Sequence, residues 1–168
     1  CTRPHSPDPG LSPPEETGIA DKPGPPRPDA TYMAQQLDNT GGLSNSSVNS
    51  IFLDSQNLLW IGTWDGLNRY DGNAFKIFRP DNQQPNSLSN QVILKIGEDQ
   101  EGQIWTATMH GINRFNKSTG RFRRFYFSRN ATPPLSESEF NMALDARGRV
   151  FCAVKDWGIG YFDGQDFR

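Results

Sequence analysis

The amino-acid sequence predicts an all-β fold of three successive four-stranded antiparallel sheets, and two observations carry that expectation. The first is recurrence. Segments beginning at Leu43, Leu88 and Leu135 align position by position, each opening on a Leu-Ser pair. Asp54, Asp99 and Asp145 each stand six residues before an aromatic, namely Trp60, Trp105 and Phe151. Glycines follow at Gly66, Gly111 and Gly158, then aromatics at Tyr70, Phe115 and Phe162, and again at Phe75, Phe122 and Phe167. The second observation is that no helix-period stretch of useful length separates the short apolar runs. Four-stranded units repeating every ~40–50 residues are the mark of a β-propeller blade. The expected architecture is therefore three blades of an incomplete β-propeller; a β-sandwich would leave the recurrence unexplained.

Residues 1–30 form a leader. Nine of the thirteen prolines lie there, with no aromatic residue and few aliphatics. Proline removes backbone donors and fixes φ, and so little apolar surface cannot offset the entropy of ordering. A disordered, extended spacer with polyproline character is expected, and P–x–x–P spacings such as Pro23–Pro26 leave a recognition segment as the alternative. Residues 31–42 read as an entry strand or linker, and Thr31–Leu37 as a candidate closing strand. Blade one spans 43–87, blade two 88–134 and blade three 135–168.

Within each unit, strand one carries Val48, Ile51 and Leu53, matched by Val92, Leu94 and Ile96. Turns follow at Asp54–Asn57, Asp99–Gly102 and Asp145–Gly148, where Asp first and Gly or Asn last suit a tight reversal. Strand two, at 58–63, 104–108 and 150–154, is apolar on both faces, as for a sheet packed between two neighbours. Gly62, Ala107 and Ala153 share one position, where adjacent sheets are expected to approach closely. Strand three (67–70, 112–115, 159–162) leads to a second turn with Asp71-Gly72, Asn116–Gly120 or Asp163-Gly164, a hairpin signal between aromatic runs. Strand four starts at Phe75, Phe122 and Phe167. Arg168 would fall inside that strand, and three blades are fewer than the roughly four to eight that close a propeller. The chain is therefore expected to be the N-terminal piece of a longer protein, with the remaining blades as partners.

The run Leu-Ser-Asn…Val…Ile…Asp…Leu-Trp-Ile-Gly-Thr…Gly-Leu-Asn-Arg-Tyr-Asp-Gly resembles the two-component regulator propeller repeat. The first segment matches closely and the second well. The third departs, with Phe151 for Trp, Cys152-Ala153-Val154 for Ile-Gly-Thr and Gly160-Tyr161 for Asn-Arg. The resemblance covers residues 43–168. It implies the periplasmic, extracytoplasmic sensor region of hybrid two-component histidine kinases of the Bacteroides type, feeding a phosphorelay. No phospho-accepting His, nucleotide-binding motif or receiver domain can be assigned in this segment.

Composition narrows the partners. The net charge is −2 and only Arg121, Arg123 and Arg124 cluster, so no nucleic-acid footprint is expected. No run of 18 apolar residues spans a membrane. Contact with a membrane would come through a missing anchor or a lipid on Cys1, which is either a lipidated mature N-terminus or a boundary within a longer chain. Cys152, inside an apolar strand, reads as a buried free thiol. No cofactor, metal site or catalytic residue is expected. His110 lacks a second ligand, and one carboxylate per turn at Asp54, Asp99 and Asp145 caps the turn more economically than it holds calcium.

Specificity in a blade belongs at the loop tips, which vary while the framework repeats. The strand two to three loops share an end with the connections between blades. They carry the candidate ligand-binding residues Trp64 and Asp65, then Met109 and His110, then Lys155, Asp156 and Trp157. Asn45, Ser46, Ser47, Asn90, Gln91, Glu137 and Ser138 flank them. Aromatic faces stack on sugar rings while carboxylates and amides bond hydroxyls, so these tips suit a sugar-binding surface, and the resemblance implies an oligosaccharide as the ligand. Packing of the two tryptophans on neighbouring loops is the structural alternative. Beside the sensor stand two further readings: a lipid-anchored binding or scaffold protein, and a propeller glycan hydrolase or lyase.

Overall fold

The computed structural model describes residues 36–126, 140–154 and 158–168 of the 168-residue chain. Cys1 and the leader, residues 31–35 of the candidate closing strand, Glu137, Ser138, Lys155, Asp156 and Trp157 lie outside the described residues. Residues 36–38 belong to no regular element, and a short 3-10 turn at Asn39–Gly41 follows, capped by the Asp38 carboxylate.

The first sheet holds β1 (Val48–Leu53), β2 (Leu59–Thr63), β3 (Gly66–Tyr70) and β4 (Phe75–Phe78), antiparallel in chain order. The second repeats it with β5 (Ile93–Glu98), β6 (Ile104–Thr108), β7 (Gly111–Asn116) and β8 (Arg121–Phe125). The third holds β9 (Phe140–Leu144), β10 (Val150–Val154) and β11 (Gly158–Tyr161). An antiparallel bridge between Phe162 and Phe167 extends it, and Tyr161 and Arg168 exchange backbone hydrogen bonds of 2.8 and 2.9 Å. The fourth strand of the third unit thus starts where the repeat places it.

Even the irregularities recur. β1 bulges between Val48 and Ser50, and β5 at the equivalent point between Ile93 and Lys95. The first turn closes with a left-handed residue in all three units, Asn57, Gly102 and Gly148. Gly66 and Gly111 have φ of +125° and +121°, and a Cβ there would stand 2.6 and 2.7 Å from the carbonyl oxygens of Phe78 and Phe125. Both the conformation and the close approach demand glycine.

Consecutive sheets pack face to face. Trp60, Leu67, Phe52 and Phe78 of the first meet Ile93, Ile96, Ile104, Phe115 and Phe122 of the second, with Leu88 of the connection. Trp105, Ala107, Ile112 and Phe125 of the second meet Met142, Val150, Cys152, Val154, Leu144, Phe162 and Phe167 of the third. The ring geometry is reused: Trp60 stacks on Phe78 and meets Phe115 edge-on, while Trp105 stacks on Phe125 and meets Phe162 edge-on. At Gly62 a Cβ would lie 2.6 Å from Ile93 Cγ2, which bears out the close approach expected there. Gly97 has the same role one interface on, 2.5 Å from Leu144 Cδ1.

The outermost faces differ from the inner ones. Ile51 and Leu53 on the first sheet, and Ile159 and Tyr161 on the third, are all at least half exposed. Trp60 and Trp105 are fully buried, but Phe151, expected in the same core role, is half-buried. Its register partner across the sheet is Tyr161, so it shares the outer face of the third sheet.

Candidate functional site

The loop end is assembled by backbone bonds, one of them between blades. Gly66 N–H donates to Gln91 O at 2.8 Å, tying the β2–β3 loop of the first sheet to the connection entering the second. Trp64 N–H donates to Ser47 O and Met109 N–H to Val92 O. Trp64 and Asp65 therefore share an end of the stack with the inter-blade segments, as do Met109 and His110.

The side chains differ in availability. Trp64 is 53% exposed and His110 is exposed, while Met109 is half-buried. Asp65 is already paired, its Oδ2 accepting from Arg79 Nη2 at 2.9 Å and Nε at 3.3 Å. At the equivalent point of the second sheet Tyr126 replaces Arg79; its ring lies beside the point where a Gly111 Cβ would be. Asn45 and Asn90 cap their own segments, accepting from Ser47 N–H and Val92 N–H. The apolar ring of Trp64 and the imidazole of His110 are thus the freest candidate groups among the described residues.

Beneath the loops lies a polar network that sequence reading missed. Asn68 Oδ1 accepts from Ser44 N–H at 2.9 Å, and its Nδ2 donates to Ser44 Oγ and Ile61 O. Ser44 Oγ meets Thr63 Oγ1, which donates to Gly66 O. Asn113, Ser89, Thr108 and Gly111 repeat this geometry. All four amide and threonine side chains are fully buried. The visible signal was the joint recurrence of Leu-Ser, Thr and Asn. The third unit has Val154 and Gly160 at the Thr and Asn positions, losing both side-chain partners together.

The recurrent aspartates cap turns as expected. Oδ1 of Asp54 accepts from the amides of Gln56 and Leu58, that of Asp99 from Glu101 and Gln103, and that of Asp145 from Arg147 and Arg149. Asp54 Oδ2 lies 2.7 Å from Lys117 Nζ of the second sheet, which also bonds Glu98 Oε1 at 2.7 Å. Glu98 in turn accepts from the amide and hydroxyl of Ser55. Burial pushes the Asp54 and Glu98 carboxyls up, but the Lys117 ammonium and the neighbouring donors outweigh it and hold both below their ordinary values. Burial likewise pulls Lys117 down, and the two carboxylates overcome it and raise the ammonium. Cys152 is buried, as expected, and burial pushes its thiol up to about 11, so it stays protonated and inert at neutral pH.

Antiparallel four-stranded sheets stacked in series through a repeated aromatic interface define a run of β-propeller blades. Residues 42–65 match the family model described as the two component regulator propeller. A 59-residue stretch is 46% identical to Histidine kinase P4 of Formosa agariphila, covering 35% of this chain and 4% of that protein. The extracellular domain of BT4673 of B. thetaiotaomicron, named as a hybrid two component system, superposes with a TM-score of 0.56 at 26% identity, covering 74% of this chain and 17% of that one. Virginiamycin B lyase of Staphylococcus aureus gives a TM-score of 0.53 at 14% identity, over 73% of this chain and 40% of that one, a likeness of fold alone. The chain therefore spans a small part of the first relatives it matches. Over residues 42–65 its repeat is similar to that of two-component regulator propellers.

Proposed function

We propose that this segment is part of an extracytoplasmic propeller that senses an oligosaccharide for a two-component histidine kinase. The observation that carries the reading is the 26% identity, along three quarters of the chain, to an extracellular domain named for such a system. The loop end is the proposed contact surface. Trp64 offers a flat apolar face and His110 a polar edge; Lys155, Asp156 and Trp157, the third group read from the sequence, lie outside the described residues. Signal output then requires a ligand affinity that differs between two arrangements of the larger protein. The glycan hydrolase or lyase reading has weaker support: Asp65, a candidate carboxylate at this end, is occupied by Arg79.

Calorimetric titration of the protein with a panel of plant and host oligosaccharides tests the proposal. Saturable binding without product release, weakened about tenfold or more in Trp64→Ala, is the expected result. Release of shortened product would favour the enzyme, and absence of saturable binding across the panel would end the sensor reading.

A further inference from the structure

The first strands of the three sheets, β1, β5 and β9, carry a second polar surface, separate from the loop end. Ser50, Lys95 and Asn141 occupy one equivalent position, as their register partners Gly62, Ala107 and Ala153 show. A groove of about 590 Å³ runs along these strands, lined by Asn49, Ser50 and Lys95 together with Glu98 and Asp145. Lys95 also borders a smaller neighbouring hollow of about 260 Å³ that Asn141 lines. Such volumes suit a small ligand.

The charges in the groove are unevenly used. Glu98 is held by Lys117 and Ser55. Asp145 is held by Arg149 and two backbone amides. Asn49 spends its Nδ2 on Ile93 O, which leaves its side-chain oxygen as an acceptor. Lys95 is exposed and has no hydrogen-bond or ion-pair partner among the described residues. The groove thus presents one positive charge uncommitted among the described residues, together with the Ser50 hydroxyl and the Asn49 side-chain oxygen, and both of its carboxylates are already paired.

We infer that this groove along β1, β5 and β9 binds the carboxylate of an acidic saccharide, with Lys95 meeting the carboxylate and the Ser50 hydroxyl and Asn49 side-chain oxygen bonding ring hydroxyls. The inference rests on the sensor reading and adds the ligand's charge to it. An ammonium–carboxylate hydrogen bond is roughly twice as strong as a neutral one and confers selectivity over the uncharged analogue.

The test is titration of the protein with a galacturonate trisaccharide and with the matching neutral galactose trisaccharide, at low salt. The wild type is expected to bind the acidic probe about tenfold tighter. Lys95→Met should erase that preference, Lys95→Arg should retain most of it, and Trp64→Ala should leave the preference in place. Equal affinity for the two probes, a preference that survives Lys95→Met, or failure of the acidic probe to bind would each overturn the inference. Binding of the neutral probe alone would overturn it while leaving the sensor reading intact.

Discussion

The indole N–H of Trp60 donates to Asp54 Oδ2 at 2.8 Å, joining the residue that turns the chain after strand one to the largest side chain of the blade core. Trp105 and Asp99 repeat the bond at 2.7 Å. In the third unit the Phe151 ring has no N–H to give, and Arg149 Nε occupies the Asp145 oxygen at 2.7 Å instead. The six-residue spacing is therefore a hydrogen-bond spacing as well as a packing one. Trp60→Phe should destabilise the protein by about 2–4 kcal/mol in urea unfolding, because it strips a donor from a buried carboxylate and leaves a void. The same change at exposed Trp64 should stay within about 0.5 kcal/mol. Similar values for both would contradict the assignment.

Lys117 joins two blades through Asp54 and Glu98, and its removal strands two carboxylates that are nearly or wholly buried. Lys117→Met should cost about 3 kcal/mol near neutral pH. Both carboxyls are depressed in the folded state, so their contribution is complete above about pH 5 and is lost as pH falls through about 4 and below. The raised ammonium contributes fully at neutral pH and loses its share only in strong alkali. The gap between wild type and variant should therefore narrow steadily on acidification, measured as unfolding free energy from pH 7 to pH 3. A constant gap would show that the ion pair is not its source.

Gly62 and Ala153 hold the same place in their blades but face different surroundings. Gly62→Ala would press a methyl to 2.6 Å from Ile93 Cγ2, so a loss of about 1–3 kcal/mol from overpacking is expected. Ala153→Val, on an exposed strand position, should change stability by less than about 0.5 kcal/mol. Thermal unfolding of the two variants side by side decides it. A harmless Gly62→Ala would mean that the blades have room to separate.

Thr106 Oγ1 is buried without a hydrogen-bond partner among the described residues, at the position where the first blade has Ile61 and the third Cys152. Thr106→Val should be neutral or stabilise by up to about 1 kcal/mol, since it removes an uncompensated polar atom without changing shape. Thr108→Val, two residues on, breaks the bonds to Ser89, Gly111 and His110 and should cost about 1–3 kcal/mol. Denaturant midpoints of the pair provide the comparison, and a large loss at Thr106 would reveal a partner for its hydroxyl.

Strand order, turn positions, the tight contact at Gly62 and the sharing of one end by the loops of Trp64 and Met109 were all legible from the sequence. These are local properties repeated three times, and repetition averages out the ambiguity of any single segment. The polar network centred on Asn68 and Asn113 was not legible, because its members lie 19 and 24 residues apart and Ser, Thr and Asn in a strand carry no apolar period. Nor did the pattern show that Asp65 is spent on Arg79 while Lys95 has no partner among the described residues.

The sequence by itself determined that this protein is a series of antiparallel blades, because alternation, turn chemistry and recurrence are set by neighbours along the chain. Only the tertiary structure decided which charges face one another across blades. Lys117 reaches Asp54, 63 positions away, through sheet stacking alone. Coulomb attraction and desolvation act through distance and burial, which sequence separation does not measure.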